Sequence, residues 1–175
     1  SLLGFAEMLR GGVTCVSDMY FFPEVAAKVA AQIGMRAAVG MILIDFPSAY
    51  AQSPDEYLDK GLALHDEYLD HPLITTVFAP HSPYTVSESN LERVRVLADE
   101  LEVQIHMHVH ETADEVAQSI SQTGARPIAR LNALGLLSPA LIAVHMTQLT
   151  PDEIELLGAN GVHVAHCPES ILKLA

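Results

Sequence analysis

Between Val103 and Thr112 the chain reads Val-Gln-Ile-His-Met-His-Val-His-Glu-Thr. At period two, Val103, Ile105, Met107 and Val109 fall on one side, and Gln104, His106, His108 and His110 on the other. That alternation predicts a β-strand with one apolar face and one face of imidazoles. Glu111 follows at once, and Thr112-Ala113-Asp114-Glu115 has the form of a capping box that starts a helix. The imidazoles and the carboxylate therefore meet at a strand-to-helix junction, the edge where α/β folds place their sites. Two kinds of chemistry suit such residues. Neutral imidazoles and carboxylates bind a divalent ion at about 2.0–2.2 Å, and a catalytic site leaves one position open for water. A carboxylate beside that position can move protons. His108 and Glu111, at His-x-x-Glu spacing, put a ligand at the strand end and a carboxylate over the cavity.

Other strand ends carry the same residue type. Short apolar runs at Val13–Asp18, Met35–Ile44, Leu73–Ala79, Leu141–His145 and Val162–His166 read as five further strands. Helices are expected over Leu2–Leu9, Pro23–Ile33, Asp55–Leu69, Ser87–Leu101, Thr112–Gln122 and Pro127–Leu134, with another after Thr150-Pro151-Asp152-Glu153, where an N-cap, Pro at N1 and Glu at N3 coincide. Apolar strands alternating with helices imply parallel βαβ units in one domain. His81 follows the third strand, His108 lies on the fourth, and His145 and His166 close the fifth and sixth. Four consecutive strands thus deliver an imidazole to one edge. A doubly wound sheet gives no reason for this; a barrel does, because its strand ends converge on one cavity. His106 and His110 are expected to be structural or to back the residues of the site, and His65, His71 and His163 to lie at surface or loop positions.

Composition narrows the partners. The formal net charge is −13, from 22 acidic residues against nine Lys and Arg, and no basic stripe offers itself to a phosphate backbone. No run reaches the roughly 18 apolar residues of a membrane span. Cys15 and Cys167 have no metal-finger spacing and read as reduced thiols of a cytoplasmic protein; Cys167 has no paired base that would make it a nucleophile. The expected partner is a small molecule, with neither nucleic acid nor membrane.

Five segments together resemble the amidohydrolase superfamily, in the branch of 5-methylthioadenosine/S-adenosylhomocysteine deaminases, chlorohydrolases and guanine deaminases. They are Gly12-Val13-Thr14-Cys15-Val16-Ser17-Asp18-Met19, His81-Ser82-Pro83-Tyr84-Thr85-Val86-Ser87, His108-Val109-His110-Glu111-Thr112, Val144-His145-Met146 and Val164-Ala165-His166-Cys167-Pro168-Glu169-Ser170. They span nearly the whole chain in the family's order. The resemblance implies a (β/α)8 TIM barrel of the metal-dependent hydrolase type, here a partial barrel covering about strands two to seven. It also implies one divalent metal, Zn2+ first and Fe2+ as the alternative, and hydrolytic removal of ammonia from a purine nucleoside or similar heterocycle. By position, His108 resembles the metal ligand of the family's fifth strand. Glu111 resembles the proton shuttle between the metal's water and the ring nitrogen, in contact with substrate. His145 resembles the strand-six histidine beside that water, and His81 the strand-four histidine that contacts the nucleoside.

Two departures qualify the match. The family's first barrel strand carries a His-x-His metal pair and its last an Asp that binds metal; neither is present, so residues 1–175 correspond to the central part of the catalytic barrel domain. His106-Met107-His108 does not substitute for the first-strand pair, because the units matching strands two to four already lie upstream. Ile171 also follows Ser170 where the family usually has Asn. An adenosine-type deaminase is the leading expectation, with the chain by itself inactive. A chlorohydrolase, a guanine or other aminohydrolase, and a non-catalytic barrel fragment are the alternatives. Open strand edges lead us to expect a homo-oligomer.

Overall fold

The computed structural model describes residues 1–174, which fall into two compact units dividing between Ala79 and Pro80. The first holds α1 (Leu2–Arg10), β1 (Cys15–Asp18), α2 (Pro23–Ile33), β2 (Arg36–Leu43), α3 (Pro54–Tyr68) and nearly all of β3 (Ile74–Pro80). Its strand order is β1-β2-β3, and β1 runs parallel to β2 with Cys15 opposite Arg36 and Asp18 opposite Val39. Helix α2 starts with Pro23 in its first turn and ends at Gly34, whose N–H donates to the carbonyls of Ala30 and Ala31 and whose φ of 75° turns the next N–H, that of Met35, back to the Ala30 carbonyl at 2.9 Å. The small residues Ala26, Ala27 and Ala30 form its buried face, within a core that includes Phe5, Met35, Val39, Leu64 and Ile74. Large side chains such as Phe5 and Ile74 contribute about 1.5–3 kcal/mol each on burial; the alanines contribute proximity. On β2 a Cβ at Gly40 would stand 2.6 Å from the Asp18 carbonyl oxygen and 2.8 Å from the Ala79 Cβ, so only glycine fits between the neighbouring strand ends.

His65 departs from expectation. It is buried, not at the surface, and its Nδ1 lies 2.7 Å from the Thr76 hydroxyl. Leu58, Gly61, Leu64 and His65 recur on the buried face of α3, and that helical spacing, rather than residue type, decides its placement.

The second unit contains α4 (Glu88–Leu101), β4 (Ile105–Val109), α5 (Ala113–Thr123), α6 (Pro127–Ala133), β5 (Leu141–His145), α7 (Pro151–Ala159), β6 (His163–Ala165) and α8 (Pro168–Leu174). Its strand order is β4-β5-β6. Strands β4 and β5 are parallel, with His108 opposite Val144 and Val109 opposite His145; β6 joins β5 through Ile142 opposite His163. Ile105, Met107 and Val109 are buried as the alternation requires, and His106 is buried as well, so both faces of β4 are covered.

At α7 the capping box is complete: the Thr150 hydroxyl accepts from the Glu153 N–H, and the Glu153 carboxylate accepts from the Thr150 N–H. The same carboxylate receives two bonds from Arg126, Nε–Oε1 at 2.7 Å and Nη2–Oε2 at 2.8 Å. Burial pushes the Glu153 carboxyl up, but Arg126, the Thr150 N–H and His110 outweigh it and hold it below its ordinary range. Such a group adds stability above its unfolded value of 4.5 and loses it as pH falls through the lowered folded value. Glu153→Gln is therefore expected to cost about 1–2 kcal/mol at pH 7, reduced from a fully buried pair because water reaches Arg126. Denaturant midpoints should show the gap from wild type narrowing as pH falls below 4.5; a gap that stays constant with pH would contradict this.

Candidate active site

Three histidines of the second unit come together. His81 follows β3, His108 lies near the end of β4, and His145 is the last residue of β5. The rings of His81 and His108 are 5.2 Å apart between centroids. Those of His108 and His145 are 5.4 Å apart and stacked at 23°. His108 Nδ1 lies 3.0 Å from the His81 carbonyl, which also accepts the His108 backbone N–H at 3.1 Å. A carbonyl can only accept, so Nδ1 carries a proton, and in the neutral ring the Nε2 lone pair is then the one available to a metal. This is the arrangement that prepares a histidine to bind metal. His81 in turn pairs its Nδ1 with the Thr85 hydroxyl at 2.9 Å.

The backbone at the end of β5 is left-handed, with φ 78° at His145 and 54° at Met146. Each such residue costs roughly 1–2 kcal/mol, a strain that tends to gather at functional sites. There His145 Nε2 approaches Glu111 Oε1 to 3.3 Å, while its buried Nδ1 has no hydrogen-bond partner. Burial lowers the His145 pKa, with Glu111 opposing and His108 adding to the fall. Burial likewise lowers His81, helped by His108 and opposed by Glu111. His106, 6.0 Å from His108 between ring centroids, is pushed down to about 4 by burial and then by His108 and His145. These three rings are thus biased toward the neutral form that metal binding and proton acceptance require. Beside Glu111 a cleft is lined by Tyr84, Thr112, Asp114, Glu115 and Gln118, and the Tyr84 ring stands edge-on to His81 at 6.2 Å.

All four residues singled out for the site, His81, His108, Glu111 and His145, lie in this one neighbourhood. Other expectations are not met. His110 leaves the imidazole face because β4 ends at Val109 and His110 takes φ 53°. Its ring is fully buried, among groups that include Glu153, Arg126 and the Gln148 backbone. His166 lies exposed beyond β6 rather than at its end. The capping box at α5 is only half made: Thr112 accepts the Glu115 N–H at 3.2 Å, but the Glu115 carboxylate turns to the N–H groups of His110 and Glu111. His71 behaves as expected, its Nδ1 accepting the N–H groups of Leu73 and Ile74 in a loop.

Among the described residues no three His, Cys, Asp or Glu side chains stand close enough together to hold a metal ion. His108 fits such a site as one ligand, with the correct nitrogen free. Glu111 and His145 fit as its neighbours.

The whole chain, residues 1–175, matches the model of the Amidohydrolase family. A 5-methylthioadenosine/S-adenosylhomocysteine deaminase of Teredinibacter turnerae is 53% identical over 173 residues, which are 99% of this chain and 39% of that protein. The crystal structure of an adenosine deaminase from Xanthomonas campestris with bound zinc is 59% identical, superimposes with a TM-score of 0.96, and is matched over 98% of this chain and 39% of its own. An atrazine chlorohydrolase from Arthrobacter aurescens complexed with zinc shares the fold at a TM-score of 0.83 and 21% identity, over 97% of this chain and 42% of its own. The chain therefore spans about two-fifths of the length of these relatives. Its parallel strands and helices are a part of the metal-dependent hydrolase TIM barrel, and the protein belongs to the amidohydrolase family.

Proposed function

We propose that this chain is the central part of the catalytic barrel domain of a metal-dependent hydrolytic deaminase. Its substrates would be adenosine-type nucleosides of the 5-methylthioadenosine and S-adenosylhomocysteine class. The observation that carries the reading is the Glu111–His145 approach of 3.3 Å beside His108, whose Nδ1 is committed to the His81 carbonyl. High identity to relatives bearing the deaminase name supports the substrate class.

A divalent ion held by His108 and by ligands outside the described residues, zinc by analogy with the solved relatives, would supply water acidified to near neutral pH. The remaining work falls to this chain. Glu111 takes a proton from the attacking water and delivers it to the ring nitrogen of the purine as the oxygen bonds to C6; the proton left on that oxygen then passes to the C6 amino group, and the C–N bond breaks to release ammonia as the C6 carbonyl forms. His145, biased toward the neutral form, orients the Glu111 carboxylate through Nε2. His81 and Tyr84 offer two ring edges against which a heterocycle can pack.

The net charge of −13 supports a small-molecule partner rather than nucleic acid, and no helix of the described residues is long and apolar enough to cross a membrane. Cytoplasmic residence, suggested by the free cysteines, and self-association through the exposed edge of β6 belong to the same reading. The test is ammonia release by a full-length barrel carrying this segment, loaded with zinc. Turnover of 5-methylthioadenosine or S-adenosylhomocysteine is expected. Ammonia from guanine alone, or chloride from a chlorinated triazine alone, would replace it with the corresponding activity.

A further inference from the structure

Glu111 can relay a proton only if its carboxylate is held still opposite His145, yet it sits on a connection between β4 and α5. The backbone around it is tied down on every side. The His110 N–H donates to Glu115 Oε1 at 3.3 Å, and the Glu111 N–H to Glu115 Oε2 at 2.7 Å. The Thr147 hydroxyl lies 3.0 Å from the His110 carbonyl and 2.8 Å from the Glu111 carbonyl. The Thr147 N–H adds a bond to the His110 carbonyl at 3.0 Å. All four backbone hydrogen-bonding groups of His110 and Glu111 are therefore engaged.

Neither helix capping nor sheet pairing accounts for this. A reciprocating Glu115 would return to the Thr112 N–H, as Glu153 returns to Thr150; instead it spans the two residues before the cap. Thr147 follows His145 by two positions, so the segment that carries His145 also grips the peptide of Glu111. The two side chains approach to 3.3 Å across the same two segments. Glu115 is buried, and each of its two carboxylate oxygens accepts one of the N–H groups; an amide in its place offers a single acceptor oxygen.

We propose that Thr147 and Glu115 are positioning residues for proton transfer by Glu111, acting as a clamp on the His110–Glu111 backbone. The inference rests on the deaminase reading of Glu111. It is tested in the zinc-loaded full-length barrel with 5-methylthioadenosine. Thr147→Val keeps the side-chain shape and removes the hydroxyl. It should lower kcat about 10- to 100-fold, the usual consequence of a small misplacement of a reacting group, with KM and zinc content within about twofold. Thr147→Ser restores the hydroxyl and should recover kcat to within about threefold. In a Glu111→Gln background, Thr147→Val should change the residual rate by less than about twofold, because the two residues act on one step.

A purely structural role would show the loss in both backgrounds and in KM, and would overturn the proposal. Glu115→Gln removes one acceptor from the other side of the clamp and should reproduce the kcat loss and the same non-additivity, so the test stands if Thr147→Val fails to fold. Normal kcat in Glu115→Gln would then overturn it. If Glu111→Gln is inactive while Thr147→Val and Glu115→Gln turn over normally, only the clamp is refuted. If Glu111→Gln itself turns over normally, the deaminase role of Glu111 fails first and the clamp falls with it.

Discussion

In a full-length barrel carrying this segment, Glu111→Gln is expected to keep its zinc and to lose about 10²- to 10⁴-fold in turnover. The amide occupies the same space in the cleft formed with Tyr84, Thr112 and Asp114, and the backbone bonds that fix residue 111 do not involve its side chain. What is lost is the capacity to accept and return a proton. His145 cannot take over at the same place. Its Nε2 faces the Glu111 carboxylate, and burial biases it against carrying charge. Steady-state rates measured on protein of known metal content give the result directly, and near-normal turnover would remove Glu111 from the reaction.

The second large effect concerns these 175 residues expressed alone. They are expected to bind zinc more weakly than about 1 μM, the level that corresponds to roughly −8 kcal/mol, and to show no deaminase turnover. One imidazole, however well prepared, is short of the three protein ligands of a catalytic zinc site, and the described residues hold no second candidate set. The same polypeptide should self-associate. Strand β6 ends the strand order of the second unit, its Val164 is 51% exposed, and an open parallel edge is a template for pairing. Calorimetric titration and light scattering on one preparation examine both points. Submicromolar binding at a single site, or a mass that stays monomeric at every concentration, would contradict the corresponding half.

The sequence made the histidine strand legible because its alternation is strict and its apolar positions, Ile105, Met107 and Val109, are all buried. His108 and His145 could be placed because each lies on the last residues of a strand, where side-chain direction follows from the strand itself, and His81 and Glu111 because they follow strand ends within two residues. His110 could not be read correctly. The pattern continues through it, but the chain turns at φ 53°, and no residue type near it announces that turn as a glycine would. His65 was missed because a polar residue on a mostly polar helix hides the buried stripe it belongs to. The letters of a capping box were visible at both Thr112–Glu115 and Thr150–Glu153, yet only the second closes on itself. Which N–H a carboxylate returns to is decided by the shape of the preceding turn, not by spacing. Thr147 lies 36 residues from Glu111, and no local pattern links two residues across that distance.

The most direct measurement pairs metal content with ammonia release in the full-length barrel for His108→Ala and Glu111→Gln, side by side. If His108 is a metal ligand and Glu111 a proton carrier, the first variant loses zinc and activity together, and the second keeps zinc and loses activity. Full zinc occupancy in His108→Ala, or wild-type turnover in Glu111→Gln, would contradict the site described for this chain.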